Sequence, residues 1–126
     1  MISKLGIITI VVTLLILGGG AFLVTKDNSK PVPSPEPNTY EYFWGDGCPH
    51  CKIVADFMET WSGKDKINIK KLEVWNNTKN ASLMNERAKI CNIARTEMGV
   101  PFMVTPDGTC LSGDQPIIDH FKSLTF

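Results

Sequence analysis

Residues 45–51 read GDGCPHC, two cysteines two residues apart with Pro49 and His50 between them. Such a pair serves thiol–disulfide exchange, half of a zinc site, or a structural crosslink. A zinc site needs two further ligands, and the remaining candidates Cys91, Cys110, His50 and His120 make no second pair of this spacing. No metal is therefore expected. A purely structural bridge across so short a loop restricts the unfolded chain least, so it stabilises little. Exchange needs a cysteine that is both a good nucleophile and a good leaving group, and Cys48 has the setting for it. The residues after it repeat apolar side chains at helical spacing (Ile53, Val54, Phe57, Met58, Trp61), and Pro49 suits a first helical position because its missing N–H costs nothing there. Cys48 is then the N-cap, facing the unpaired N–H groups and the positive end of the helix dipole, which favour a thiolate. His50, when protonated, adds a second bias towards thiolate. Cys51 lies one turn further on and can attack a mixed disulfide. The expected catalytic residues are Cys48, Cys51, His50 and Pro49.

The elements that must position this pair are legible around it. TYEYFW, residues 39–44, reads as a strand ending at a glycine, and the helix runs from about 49 to 62. In KINIKKLEVW the apolar residues shift phase, Ile67 and Ile69 against Leu72 and Val74, which suggests a strand with a bulge. A second helix carries Leu83, Met84, Ala88, Cys91 and Ala94 on one face. PFMVTPDGTCL reads as two short strands about a Pro-Asp-Gly turn, and a last helix follows with Asp114 as its cap and Pro116 in its first turn. The expected order is β-α-β-α-β-β-α within residues 39–126. Cys91 and Cys110 are either buried free thiols or a bridge from the second helix to the fourth strand.

The chain has 126 residues with 13 acidic and 13 basic groups, a balance that suggests no nucleic-acid partner. After a short tail, residues 1–4, residues 5–24 carry no charge over 20 positions, enough to cross a bilayer as a helix. A cleaved signal peptide is the rival reading, since small residues at 18–21 follow an apolar run at 7–17. The expectation is a retained single-pass membrane anchor with the C-terminal domain outside the cytoplasm. Residues 25–38 form a linker with prolines at 31, 33, 35 and 37, whose extended path from residue 27 onward spans roughly 35 Å at about 3.1 Å per residue.

With these residues in place, the stretch 39–126 resembles the thioredoxin superfamily in its minimal, glutaredoxin-like form, and CPHC matches the active site of DsbA-like disulfide oxidases. GVPFMV, residues 99–104, is similar to the loop before the third strand in that family. The resemblance implies an α/β thioredoxin-like fold, a cis peptide bond before Pro101, and a Val100 backbone that pairs with a bound substrate strand. Departures are equally informative. The buried acid that the family places six residues before the first cysteine is Tyr42 here, and Glu41 beside it belongs on the opposite face of the strand. A carboxylate relay to Cys51 thus has no residue to carry it. Gly45 stands where glutaredoxins place a basic residue for glutathione, so no cofactor is expected. Trp44 matches a tryptophan common in thioredoxins.

The resulting expectation is a membrane-tethered protein thiol–disulfide oxidoreductase acting on exported thiol or disulfide substrates and recycled by a redox partner that the sequence does not name. His50 favours an oxidase. A membrane-anchored reductase, as in cytochrome maturation, uses the same fold and anchor, and a metal-binding or redox-silent adaptor is the reading from a different class.

Overall fold

The structure is a computed structural model that describes residues 4, 6–8, 10, 12–13 and 33–126. Residues 4, 6–8, 10 and 12–13 are helical. Among the described residues no helix is long and apolar enough to cross a membrane. The expected span at 5–24 lies largely outside them, as do residues 25–32 of the linker.

Residues 33–126 form a mixed α/β unit. Its elements are β1 (Thr39–Trp44), α1 (Pro49–Thr60), a 3-10 turn (Lys64–Lys66), β2 (Asn68–Glu73), α2 (Thr78–Ile90), β3 (Phe102–Val104), β4 (Cys110–Ser112) and α3 (Asp114–Ser123). The sheet order is β2-β1-β3-β4, with β1 and β2 parallel and the other two pairs antiparallel. This is the expected order of elements, and it is compatible with a thioredoxin-like fold.

Burial explains why β1 lies inside the sheet. Tyr40 and Tyr42 pack on one face with Val54 of α1 and Ile117, Ile118 and Phe121 of α3, while Phe43 packs on the other with Met84 of α2. A strand covered on both faces alternates between two cores rather than between core and water. The same fact corrects the reading of β2. All six of its residues pair in register with β1, Thr39 opposite Asn68 through Trp44 opposite Glu73, without a bulge. Ile67 and Ile69 face the first core and Leu72 and Val74 the second. The apparent phase shift arises because the amino-terminal part of this edge strand packs on one face of the sheet and the carboxy-terminal part on the other, with Asn68, Lys70 and Lys71 left exposed.

Helix ends also differ from expectation. α1 stops at Thr60 because Trp61 turns extended, its N–H still reaching the Phe57 carbonyl. α2 begins where the Asn77 side chain accepts from the N–H groups of Lys79 and Asn80, a standard N-cap. It ends at Ile90, and Asn92 takes a left-handed φ of 56°, so Ala94 lies beyond the helix and is exposed. α3 is capped by Gly113, at φ 93°, and Asp114 is its first helical residue, with its side chain engaged elsewhere. Cys91 and Cys110 are joined in a disulfide between the end of α2 and β4.

The second core holds an ion pair. Arg87 of α2 donates from Nε to Glu41 Oε2 at 2.6 Å and from Nη2 to Oε1 at 2.9 Å, with both side chains no more than 5% exposed. Arg87 Nη2 also donates to the Pro33 carbonyl at 2.7 Å. The strand alternation that removes Glu41 from the cysteine side places it here.

Candidate redox site

The end of β1 hands the chain to α1 through a four-residue turn, residues 45–48. Gly47 adopts φ 80°, a conformation that side chains disfavour, and the Cys48 N–H closes the turn on the Gly45 carbonyl at 3.1 Å. Cys48 is the N-cap of α1, with extended backbone, and its sulfur accepts a hydrogen bond from the Cys51 N–H at 3.1 Å. Pro49 occupies the first helical position. Cys48 and Cys51 are disulfide-bonded with Cα atoms 5.2 Å apart, and both residues are buried. The helix N-terminus therefore already points a donor at Cys48, the sulfur that would carry charge once the pair is fully reduced.

The β3 approach loop meets this sulfur from the other side. The Val100–Pro101 peptide bond is cis, and the Val100 carbonyl oxygen lies 3.8 Å from Cys48 Sγ. Pro101 is buried, and its carbonyl accepts from the Gly113 N–H at 2.9 Å, which ties the loop to the start of α3. From α3, Asp114 Oδ2 lies 3.1 Å from His50 Nδ1. This hydrogen bond to His50 holds the Asp114 carboxyl below its usual range. Asp114, expected only as a cap, is thus the partner of a residue in the C-x-x-C segment. Nothing local betrays that pairing, since 64 positions separate the two residues.

A third support was also hidden in the sequence. Glu73, at the end of β2, accepts from the N–H groups of Asp46 (3.3 Å), Trp75 (2.9 Å) and Asn76 (2.8 Å). Desolvation works to raise its pKa, but the N–H groups of Asn76, Trp75 and Asp46 together hold it below the usual carboxylate range. One carboxylate therefore clasps the turn before Cys48 to the turn after β2. Trp75 lies against Gly45, leaving no room there for a larger residue without moving the ring. Because the folded-state pKa is lowered, the clasp is fully formed above the ordinary glutamate range and is lost as pH falls through the folded value. Glu73→Ala should speed amide hydrogen exchange at Asp46, Trp75 and Asn76 at neutral pH while leaving α2 unchanged. Unaltered exchange at all three would show that the clasp orders nothing.

A cavity of about 430 Å³ opens beside the disulfide, on the α1 side of β1 and β2. Cys48 and Cys51 form part of its wall together with Tyr42, Trp44, Met58 and Ile69, and Lys52 and Lys71 also line it. Trp44 is half-buried against the first core and lines the same cavity as the pair. Neither Val100 nor Pro101 reaches the cavity, so the disulfide separates two distinct surfaces. The Tyr42 hydroxyl is buried without a hydrogen-bond partner, and burial pushes its pKa well above the ordinary tyrosine range.

Comparison of the chain with protein-family models, with curated proteins and with solved structures finds no match. The site itself defines a class: a redox-capable C-x-x-C cysteine pair at a strand-to-helix junction of an α/β domain.

Proposed function

We propose that the chain is a thiol–disulfide oxidoreductase that passes the Cys48–Cys51 disulfide to exported protein substrates. The observation that carries this reading is the N-cap geometry, in which the Cys48 sulfur accepts the Cys51 N–H at the positive end of α1. In the oxidising direction a substrate thiolate attacks Cys48 Sγ and the bonding pair leaves with Cys51 as thiolate. A second substrate thiolate then attacks the substrate sulfur of the mixed disulfide, and Cys48 departs as thiolate. The substrate loses two electrons and the protein disulfide gains them. The Val100 backbone, beside the attacked sulfur, aligns the substrate strand. The membrane tether is part of the proposal and is supported by the absence of charge across residues 5–24 and by the exposed Ile7, Ile8, Ile10 and Val12. The domain then works outside the cytoplasm, where disulfides persist.

Direction rests on the reduction potential. Whatever stabilises the Cys48 thiolate stabilises the reduced form and makes the disulfide a stronger oxidant. Equilibration with glutathione should place the couple above about −270 mV, the value for thioredoxin. Replacing His50 with Leu should lower it, and a shift of about 30 mV corresponds to about 1.4 kcal/mol. One observation favours the reductase reading instead: the charge of Asp114 sits against His50 and offsets its influence on Cys48. A potential at or below that of thioredoxin, insensitive to His50→Leu, would select that reading.

A further inference from the structure

We propose that the Tyr42 hydroxyl is the hydrogen-bond donor that receives the Cys51 sulfur when the disulfide opens. The inference rests on the exchange reading above and adds a residue to it. When a thiolate attacks Cys48, the electron pair of the disulfide bond leaves on Cys51, which is only 4% exposed. A thiolate formed in that setting lacks water and needs a donor. The N–H at the start of α1 is committed to the other sulfur, since the Cys51 N–H points at Cys48.

Tyr42 meets the requirement. It lines the same cavity as Cys51, on the strand beneath α1, and packs in the same core as Val54, one helical turn beyond Cys51. Tyr42 is 7% exposed, and among the buried side-chain oxygens and nitrogens of the described residues its hydroxyl is the one without a partner. A buried hydroxyl left unpaired destabilises the state in which it is found, here the disulfide state. Opening the disulfide supplies the missing acceptor. The same atom therefore disfavours the oxidised form and favours the opened one, with no proton transferred and no further reactant needed.

Other groups facing the cavity are the rivals. Lys52 of α1 is engaged by Asp56 at 2.7 Å, whereas Lys71 of β2, in register opposite Tyr42, has no ion-pair partner among the described residues. A cation at Lys71 would also stabilise a Cys51 thiolate, by charge rather than by a donated hydrogen bond.

The test is the rate at which dithiothreitol opens the Cys48–Cys51 disulfide of the full chain, compared for wild type, Tyr42→Phe and Lys71→Met. Tyr42→Phe keeps the ring and its packing, and removes only the unpaired atom, so the variant should fold at least as stably as wild type. A hydrogen bond to a charged group is worth about tenfold, so opening should slow by about that factor in Tyr42→Phe and change little in Lys71→Met. A loss below about threefold in Tyr42→Phe would overturn the proposal, as would an equal or larger loss in Lys71→Met. A merely structural tyrosine would change the stability of both redox forms and leave the opening rate alone. If dithiothreitol fails to open the wild-type disulfide in the folded protein, the exchange reading itself falls.

Discussion

Cys51→Ser should accumulate mixed disulfides through Cys48, and Cys48→Ser should accumulate none. The asymmetry follows from position on α1. Cys48 at the N-cap receives an N–H donor and the full effect of the helix terminus, whereas Cys51 lies one turn inside the helix. The Cys48 sulfur is also the one beside the Val100 carbonyl, where a substrate strand would lie. With Cys51 gone, a thiol joined to Cys48 has no internal attacker to release it. Incubating each variant with a small oxidised peptide and separating the products without reductant, followed by mass spectrometry of the joined species, reads the result. Both variants should lose turnover to background. Trapping through Cys51 in the Cys48→Ser variant, at equal yield, would reverse the assignment.

The second large effect is on stability and has nothing to do with the cysteines. Arg87→Ala should cost about 3–5 kcal/mol, because it leaves the Glu41 carboxylate buried without its two charge-assisted hydrogen bonds. Domains are stable by only about 5–15 kcal/mol in total, so this one change consumes a large part of the margin. The pair itself contributes far less than its breakage costs, since taking both charges out of water nearly offsets their attraction. The double variant Glu41→Leu with Arg87→Met should accordingly recover most of the loss. Urea denaturation of wild type, Arg87→Ala and the double variant measures both numbers. An Arg87→Ala loss below about 1 kcal/mol would mean that water reaches Glu41, against its burial.

How far the sequence reveals this arrangement depends on the range of each interaction. The pair at 48 and 51, the proline behind it, and the strand before it are local signals, and the chain places all of them where their types imply. The turn at 105–109 is equally local, with Gly108 at φ 87° and Asp107 accepting within the turn. What stays hidden is long-range. Asp114 reads as an N-cap because acids favour that position, yet Gly113 takes it and Asp114 turns to His50. Glu41 reads as displaced from the active side, and no periodic rule announces that Arg87 will be buried opposite it, since arginine on a helix normally marks solvent. The β2 pattern misleads for a different reason. Alternation arguments assume one dry face along the whole strand, whereas β2 packs its start on one face and its end on the other and leaves Asn68, Lys70 and Lys71 exposed. His120 shows the same limit on a smaller scale: its Nε2 sits 3.2 Å from the hydroxyl of Tyr40, 80 positions away.

The contact between Arg87 and the Pro33 carbonyl has a mechanical meaning. Tension arriving along the chain from the amino-terminal side meets first the Arg87 bond and the Lys70–Glu36 pair, and then β1 itself. β1 is hydrogen-bonded on both edges, so a pull directed along it would load its rungs in shear, together, rather than parting them one at a time as in a peeled hairpin. The cysteines sit beyond the far end of that strand, roughly 20 Å from the point of loading at about 3.3 Å per residue. Such a pull would therefore leave the cysteine turn unstrained until the central strand gave way.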